Sequence, residues 1–409
     1  MSKNSDKLLL SSSEMLDNLK HRYDDLRSSV VNIPSVPESM RTLGKGSKKK
    51  KRSKRDSRPR VAFFRYGYYD VAFRYFIEQV LDADFVQLPE ATRRTLELGT
   101  LNSNDYVCAP FKHILGDYIE SLELGADTLV QFSGPCRLGY YGELQQKILR
   151  DMGYEFTMMN FAEISDASMK ETIDYCKKMI NPDLVVSKAV KRFVILLKMI
   201  ECLDAYNDEF LENAGFEIEP GSSRRAREEY FDNMRGVVTL SDVLEVQKAG
   251  LKALRDIPLK KPVDPVRVGL VGEYFTAVDP HSNLHIEDKF QGMGVSMARM
   301  MTMTNRNLLY NESNIRAQIS EYVDYDMGPT SSLTIAAAKK YAELGFDGIV
   351  HMKSAGCTPE IDVMPVLQRL SRDYGIPILY LSYDSQTSDT GLDTRLEAFY
   401  DMISMRKAR

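Results

Sequence analysis

Three of the five cysteines in this 409-residue sequence share one setting. Cys108 lies in DYVCAPFKH, Cys136 in FSGPCRLGYYG and Cys357 in KSAGCTPEID. Each is read as following a strand or extended stretch and preceding a helix. Pro110 and Pro359 come two residues after their cysteines, where a helix start tolerates the missing N–H. Thr358 is the expected N-cap of the third helix, and Pro135 fixes the turn before Cys136. A thiol at a helix start meets unpaired backbone N–H groups and the positive end of the dipole, which favours the thiolate. Thiolates ligate metals and act as nucleophiles. Cys176 and Cys202 fall inside helical patterns instead and are expected as small apolar side chains of the core.

Three thiolates delivered by three loops suit an iron–sulfur cluster better than structural zinc, which usually takes paired C-x₂₋₄-C ligands that are missing here. With no obvious fourth cysteine, one iron would be left open. Thiol chemistry without a cluster, and a chance likeness of the three settings, also stay open. Lys112 and Arg137 stand near the helix starts, either offsetting negative charge at the thiolates or an anionic substrate, or simply on solvated helix faces. Glu360 falls in a first helical turn and reads as a dipole partner before an acid or base. His351 belongs on a strand face. His281 and His285 are spaced i, i+4, but no third ligand is tied to them. Asp384, Gln386 and Thr387 suit a turn and cap and Arg395 is expected to pair with Glu397, with a substrate-facing loop as the alternative for the group, and the aromatic run Tyr66 to Phe76 reads as core before a substrate box.

The elements that must position these residues follow from periodicity. Residues 60–162 alternate strand and helix, with strands at Val61–Tyr66, Asp84–Leu88 and Thr128–Ser133 and helices at Tyr69–Leu81, Lys112–Leu124 and Arg137–Met152. Residues 163–260 carry long helical patterns with almost no strand signal, including Pro182–Tyr206 and Ser241–Arg255. Residues 261–409 return to alternation: strands Val266–Gly272, Asp347–Met352 and Pro377–Tyr383, helices Ser332–Leu344, Pro359–Tyr374 and Thr394–Met405. The expected fold is α/β: two Rossmann- or flavodoxin-like units with parallel sheets, the first carrying Cys108 and Cys136 and the second Cys357. A helical insertion lies between them. Sites in open α/β sheets form beyond the carboxyl ends of the strands, so the three thiols are expected to share a cleft between the units.

Residues 1–59 form a basic arm expected to be largely disordered. Residues 1–60 hold 16 Lys and Arg against 7 Asp and Glu, whereas the whole chain carries −4. The run at 45–60, KGSKKKKRSKRDSRPR, reads as a solvated tail or a tether to an anionic surface. It has no interleaved aromatic residues for base stacking, so a nucleic-acid role is weak and confined to this run. No signal peptide and no stretch approaching about 20 apolar residues is visible. A cytoplasmic chain is expected, with the odd cysteine count excluding a disulfide scaffold.

The C-terminal stretch GIVHMKSAGCTPEIDVMPVLQRLSRDYGIPILYLSYDSQTSDTGLDTRLEAF resembles the end of 2-hydroxyacyl-CoA dehydratase subunits. The stretch CAPFKHILGDYIESLELGADTLVQFSGPCRLGYYGELQQKILRDMG, with its G-P-C-R-x-G-x-Y-x-x-L-Q signature at Gly134–Gln145, is similar to the acyl-CoA dehydratase activase-related proteins, as is VGLVGEYFTAVDPHSNLHIEDKF. The resemblance covers about residues 60–405. It implies a [4Fe–4S] cluster ligated by Cys108, Cys136 and Cys357, with a double-cubane cluster as a variant. It also implies an acyl-CoA-like substrate, dehydrated or reduced by one-electron chemistry, and a separate ATPase activase of the actin/sugar-kinase type. No P-loop supplies that ATPase within this chain. A homo- or heterodimer fits the two-subunit relatives. The alternatives are a non-catalytic cluster carrier in electron transfer to or from such an activase, and an interaction protein tethered by the basic arm.

Overall fold

A computed structural model describes residues 58–132, 141–161, 168–305, 311–325 and 327–408. Cys136, Arg137 and residues 45–57 of the basic run lie outside the described residues.

The first α/β unit opens with β1 (Arg60–Phe63), α1 (Asp70–Tyr75, running on as a π-helix through Phe76–Val80) and β2 (Asp84–Phe85). Two helices follow, α2 (Arg93–Leu101) and α3 (Ala109–Glu123), then β3 (Thr128–Gln131), α4 (Tyr141–Asp151) and β4 (Thr157–Asn160). The four strands are parallel in the order β2-β1-β3-β4. Alternating strand and helix demand this arrangement, because parallel strands need crossovers that return the chain to the same edge.

The segment between the units is helical as expected, built from α5 (Met169–Met179), α6 (Val186–Asn213), α7 (Ser222–Arg235) and α8 (Leu240–Arg255). The second unit then runs β5 (Arg267–Gly272), α9 (Tyr274–Val278), α10 (Ile286–Gly292), β6 (Ser296–Arg299), α11 (Glu312–Ile319) and α12 (Pro329–Glu343). It closes with β7 (Gly348–Ser354), α13 (Thr358–Asp362), α14 (Met364–Tyr374), β8 (Ile378–Tyr383) and α15 (Asp389–Lys407). Its parallel order is β6-β5-β7-β8, the same as in the first unit.

The two units also share their stitching. Arg60 N–H donates to Asp127 Oδ1 at 3.0 Å and its guanidinium to Leu124 O at 3.1 Å. Arg267 repeats both bonds, to Asp347 Oδ2 at 2.8 Å and Leu344 O at 3.1 Å. The helices α3 and α12 are 15 residues each and end before Gly125 and Gly345, whose positive φ of 86° and 68° lets the chain turn back into the next strand.

One continuous core runs through the first sheet, the helical segment and one face of the second sheet, where Val268, Leu270, Val350 and Met352 point. Val271 and Ile349 point to the other face and a separate cluster with Ile335, Ala337, Leu367 and Leu370. This period-two division is what a sheet covered on both faces requires. The aromatic run is core, as expected, yet two of its hydroxyls lock the three parts together. Tyr68 and Tyr69 donate to Asp204 Oδ1 of α6 at 2.7 and 2.5 Å, while Thr304 N–H of the second unit donates to Asp204 Oδ2 at 2.8 Å. Burial raises the Asp204 pKa, and these donors oppose the rise.

The single helix expected over Pro359–Tyr374 is two. Pro365 has no N–H to continue the ladder of α13, so α14 starts afresh at Met364 with the proline in its first turn.

Candidate functional site

Cys108 caps α3 in extended backbone (φ −60°, ψ 153°), with Pro110 in the first turn. It is preceded by α2 and a turn at Asn104–Val107, whereas a strand or extended stretch was expected. That lead-in is fixed by close helix packing. A Cβ on Gly99 of α2 would strike the backbone of Lys112, and one on Gly116 of α3 would strike the backbone of Thr95. Arg94 adds ion pairs to Glu120 Oε1 (3.2 Å) and Glu123 Oε2 (2.8 Å). The Cys108 Sγ lies 2.6 Å from Tyr141 Oη at the start of α4.

Cys357, and not Thr358, caps α13. A tight turn leads to it from β7, with Cys357 N–H donating to Ser354 O at 3.1 Å. Under this turn Glu360 is fully buried, bonded to His351 Nε2 at 2.7 Å and accepting from Thr334 Oγ1 at 3.1 Å. Glu360 therefore acts as an anchor in the interior, from the expected place in the first helical turn. His351 sits on the strand face as expected.

The two cysteine loops meet across the units. Ala109 N–H, the first of α3, donates to Ser354 Oγ at the end of β7 at 2.8 Å. Ser354 does not stand out in the sequence, since a lone hydroxyl carries no spacing signal, whereas Tyr141 is the fixed tyrosine of the G-P-C-R-x-G-x-Y signature. Electrostatics at Cys357 run against the expectation of a thiolate favoured by its helix. Burial pushes the thiol up well above its ordinary value, and the charges of Glu273, Glu360 and Cys108 add to the rise. One backbone N–H, from Glu360, opposes it. A five-residue helix has too few aligned peptides to win against that burial.

Lys112 is buried and donates to Asp105 O at 3.2 Å, in the loop that leads to Cys108. It is not on a solvated helix face. Cys176 and Cys202 are buried, and burial pushes both thiols up to about 11. His285 faces Asp288 with Nδ1 at 3.7 Å and stands beside the His281 ring. Asp384 and Thr387 form the expected turn, bonded through Thr387 Oγ1 at 2.9 and 3.0 Å. Arg395 donates to Tyr380 O at 2.6 Å, so it secures α15 to β8 and does not pair with Glu397.

Among the described residues, no group of three or more His, Cys, Asp or Glu could by itself hold a metal ion. Two of the three sequence candidates, Cys108 and Cys357, stand close enough for the one to act on the charge of the other, and the third, Cys136, lies outside the described residues. No helix of the described residues is long and apolar enough to cross a membrane. No curated protein gives a significant match to the chain. Residues 254–403 match the family described as 2-hydroxyglutaryl-CoA dehydratase, D-component, a span from the end of α8 into α15 that includes Cys357 and Glu360. That match supports the assignment of this chain, through its second α/β unit, to the 2-hydroxyacyl-CoA dehydratase superfamily.

Proposed function

We propose that this chain is a component of the 2-hydroxyacyl-CoA dehydratase type, with Cys108, Cys136 and Cys357 holding a [4Fe–4S] cluster at the joint between its two α/β units. The observation that carries the reading is the 2.8 Å bond from Ala109 N–H to Ser354 Oγ, which ties the Cys108 helix to the Cys357 strand. A cluster bound by three cysteines supplies one-electron reduction and a Lewis-acidic iron left open to an acyl-CoA-like substrate. The residues of the chain do the positioning. Tyr141 Oη holds the Cys108 sulfur, while Glu360, clamped by His351 and Thr334, fixes the turn that presents Cys357. Arg137 and Lys112 contribute positive charge toward the thiolates or an anionic substrate. The electron would come from a separate ATPase activase of the actin/sugar-kinase type, the partner that the family resemblance implies.

Anaerobic purification tests this directly. A brown protein with about four irons per chain is expected. Cys357→Ala should lower the iron content and change the EPR signal, whereas Cys176→Ala should leave both in place. A colourless, iron-free wild-type protein under those conditions sinks the proposal.

A further inference from the structure

The helix α12 begins without the partners that close its counterpart α3. In α3 the first N–H, that of Ala109, is taken by Ser354 Oγ at 2.8 Å. In α12 the cap is Gly328, which brings no side-chain oxygen, and Pro329 at the first position has no N–H to give. Ser332 N–H is the first to reach a carbonyl, that of Gly328 at 3.0 Å. The N–H groups of Thr330 and Ser331 have no acceptor among the described residues, although the two residues are only 4% and 1% exposed. The Thr330 hydroxyl is in the same state, since Oγ1 is buried and has no hydrogen-bond partner. Buried donors left open are rare in a folded chain, and each costs about as much as a lost hydrogen bond.

This first turn lies where parallel sheets bind ligands. The chain lays β6 on one side of β5 and β7 on the other, which opens a crevice beyond the carboxyl ends of β5 and β7. The helix α12 is fastened at that edge. Thr334 Oγ1 lies 3.4 Å from Gly272 O at the end of β5, and Ser331 Oγ donates to Pro359 O at 3.0 Å, in the helix that Cys357 caps. Met327 and Pro329 flank the turn half-buried, which leaves it an opening to solvent. A side chain at the second helical position leans toward the N-terminus, so the Thr330 hydroxyl stands over the two free N–H groups. Three donors at the positive end of a 15-residue helix match the three oxygens of a phosphate, one more than a carboxylate offers. We propose that the first turn of α12 is a phosphate-binding site, with Thr330 N–H, Ser331 N–H and Thr330 Oγ1 as its donors. The phosphate is free or is the end group of a larger ligand lying toward the Cys357 turn, since both present the same oxygens. The inference rests on the fold alone and needs neither the cluster nor the cysteines.

Titration of the full-length protein with inorganic phosphate and, separately, with ADP tests it. In protein isotope-labelled at threonine and serine, the amide resonances of Thr330 and Ser331 should move downfield and saturate. Thr330→Val removes the hydroxyl and keeps the shape of the side chain. It should weaken phosphate binding by about tenfold, the loss of one hydrogen bond to a charged group. Thr330→Ser should restore the affinity. Tighter binding of ADP than of phosphate assigns the site to the end group of a larger ligand, and equal or weaker binding assigns it to free phosphate. No saturable shift at Thr330 and Ser331 with either probe overturns the proposal, as does an affinity unchanged in folded Thr330→Val. If that variant does not fold, the two wild-type resonances decide alone. Iron plays no part in these measurements. A wild type that takes up no iron defeats the cluster reading alone, and a wild type that binds no phosphate defeats this one alone.

Discussion

The two α/β units are the same scaffold with different contents. Both order their strands alike, and both fix the first strand with an arginine that bonds the aspartate before the third strand and the carbonyl at the end of the preceding helix. Yet the equivalent helices α3 and α12 are filled differently. Aligned from their first residues, Cys108 falls opposite Gly328, Lys112 opposite Ser332, His113 opposite Leu333, Gly116 opposite Ala336 and Asp117 opposite Ala337. On the third strand the roles reverse: Gln131 accepts from Tyr118 Oη at 2.5 Å, while its counterpart His351 supports Glu360 beneath the Cys357 turn. What the two units share is the framework, and the site is made where they diverge. Replacing residues of one unit by those of the other therefore separates scaffold from site.

Gly116→Ala, which installs the residue of α12 in α3, should have the largest effect. In the second unit Ala336 is accommodated, but a Cβ at 116 meets the backbone of Thr95, which cannot move without displacing α2. A loss of about 3 kcal/mol in urea unfolding is expected, at the upper end of overpacking costs. Alkylation of Cys108 should become faster as the cap loosens. A stable variant with an unchanged Cys108 would show that the α2–α3 contact does not place the thiol.

His113→Leu comes next and reads out in pH. Burial, aided by the charges of His281 and Arg65, lowers His113 to about 4, well below its unfolded value near 6.5. Between these values the unfolded chain binds the extra proton, so this histidine costs stability as pH falls from about 6.5 toward 4. The cost is about 2 kcal/mol at pH 5 relative to pH 7. Asp117 and Asp279 work in the opposite direction. Burial raises them to about 7 and about 6, so each favours the native state at low pH and loses that contribution as pH rises from about 4 through those values. Only the difference between wild type and His113→Leu isolates the histidine. Melting temperatures across pH 4.5–7.5 should diverge toward acid, with the leucine variant the more stable; parallel curves would refute a neutral buried His113.

How much of this was legible beforehand follows the range of the interactions involved. The two parallel units and the helical segment could be read from local period and from Gly125, Gly345 and Gly375, since each reflects the chain within one or two turns. Cys108 and Cys357 could be recognised as helix-start thiols because Pro110 and Pro359 mark the first turns. The short strands Thr157–Asn160 and Ser296–Arg299 were not, because four residues give too few alternations to stand out. The Ala109–Ser354 bond, the buried Lys353 and the anchored Glu360 depend on contacts between distant segments, which no local spacing encodes. Burial also reversed the electrostatic argument for Cys357, since a sequence displays a helix start but not the desolvation around it. The internal repeat was visible in principle: Leu124-Gly125-Ala126-Asp127 and Leu344-Gly345-Phe346-Asp347 differ at one position.

The shared stitching gives the smallest effects and the finest comparison. Asp127→Asn and Asp347→Asn remove the same backbone-linked charge in the two units, and each should cost about 1.5 kcal/mol, the lower end for a hydrogen bond to a charged group. They differ in what else they hold: Asp127 accepts from Thr128 Oγ1 at 3.0 Å, and Asp347 pairs with Lys407 Nζ of α15 at 3.0 Å, so the second loss frees the end of the last helix. The arginine partners should give smaller values. Arg60→Ala forfeits the bond to Leu124 O, at about 0.5 kcal/mol. Arg267→Ala also loses the bond to Gly345 and the stacking of its guanidinium over Phe346 at 4.9 Å, at about 1 kcal/mol. Urea midpoints of the four variants, read at one pH, check the order. If the first-unit substitutions cost as much as those of the second, then α15 and Phe346 add nothing to the second frame, and the difference between the units lies wholly in the residues around the thiols.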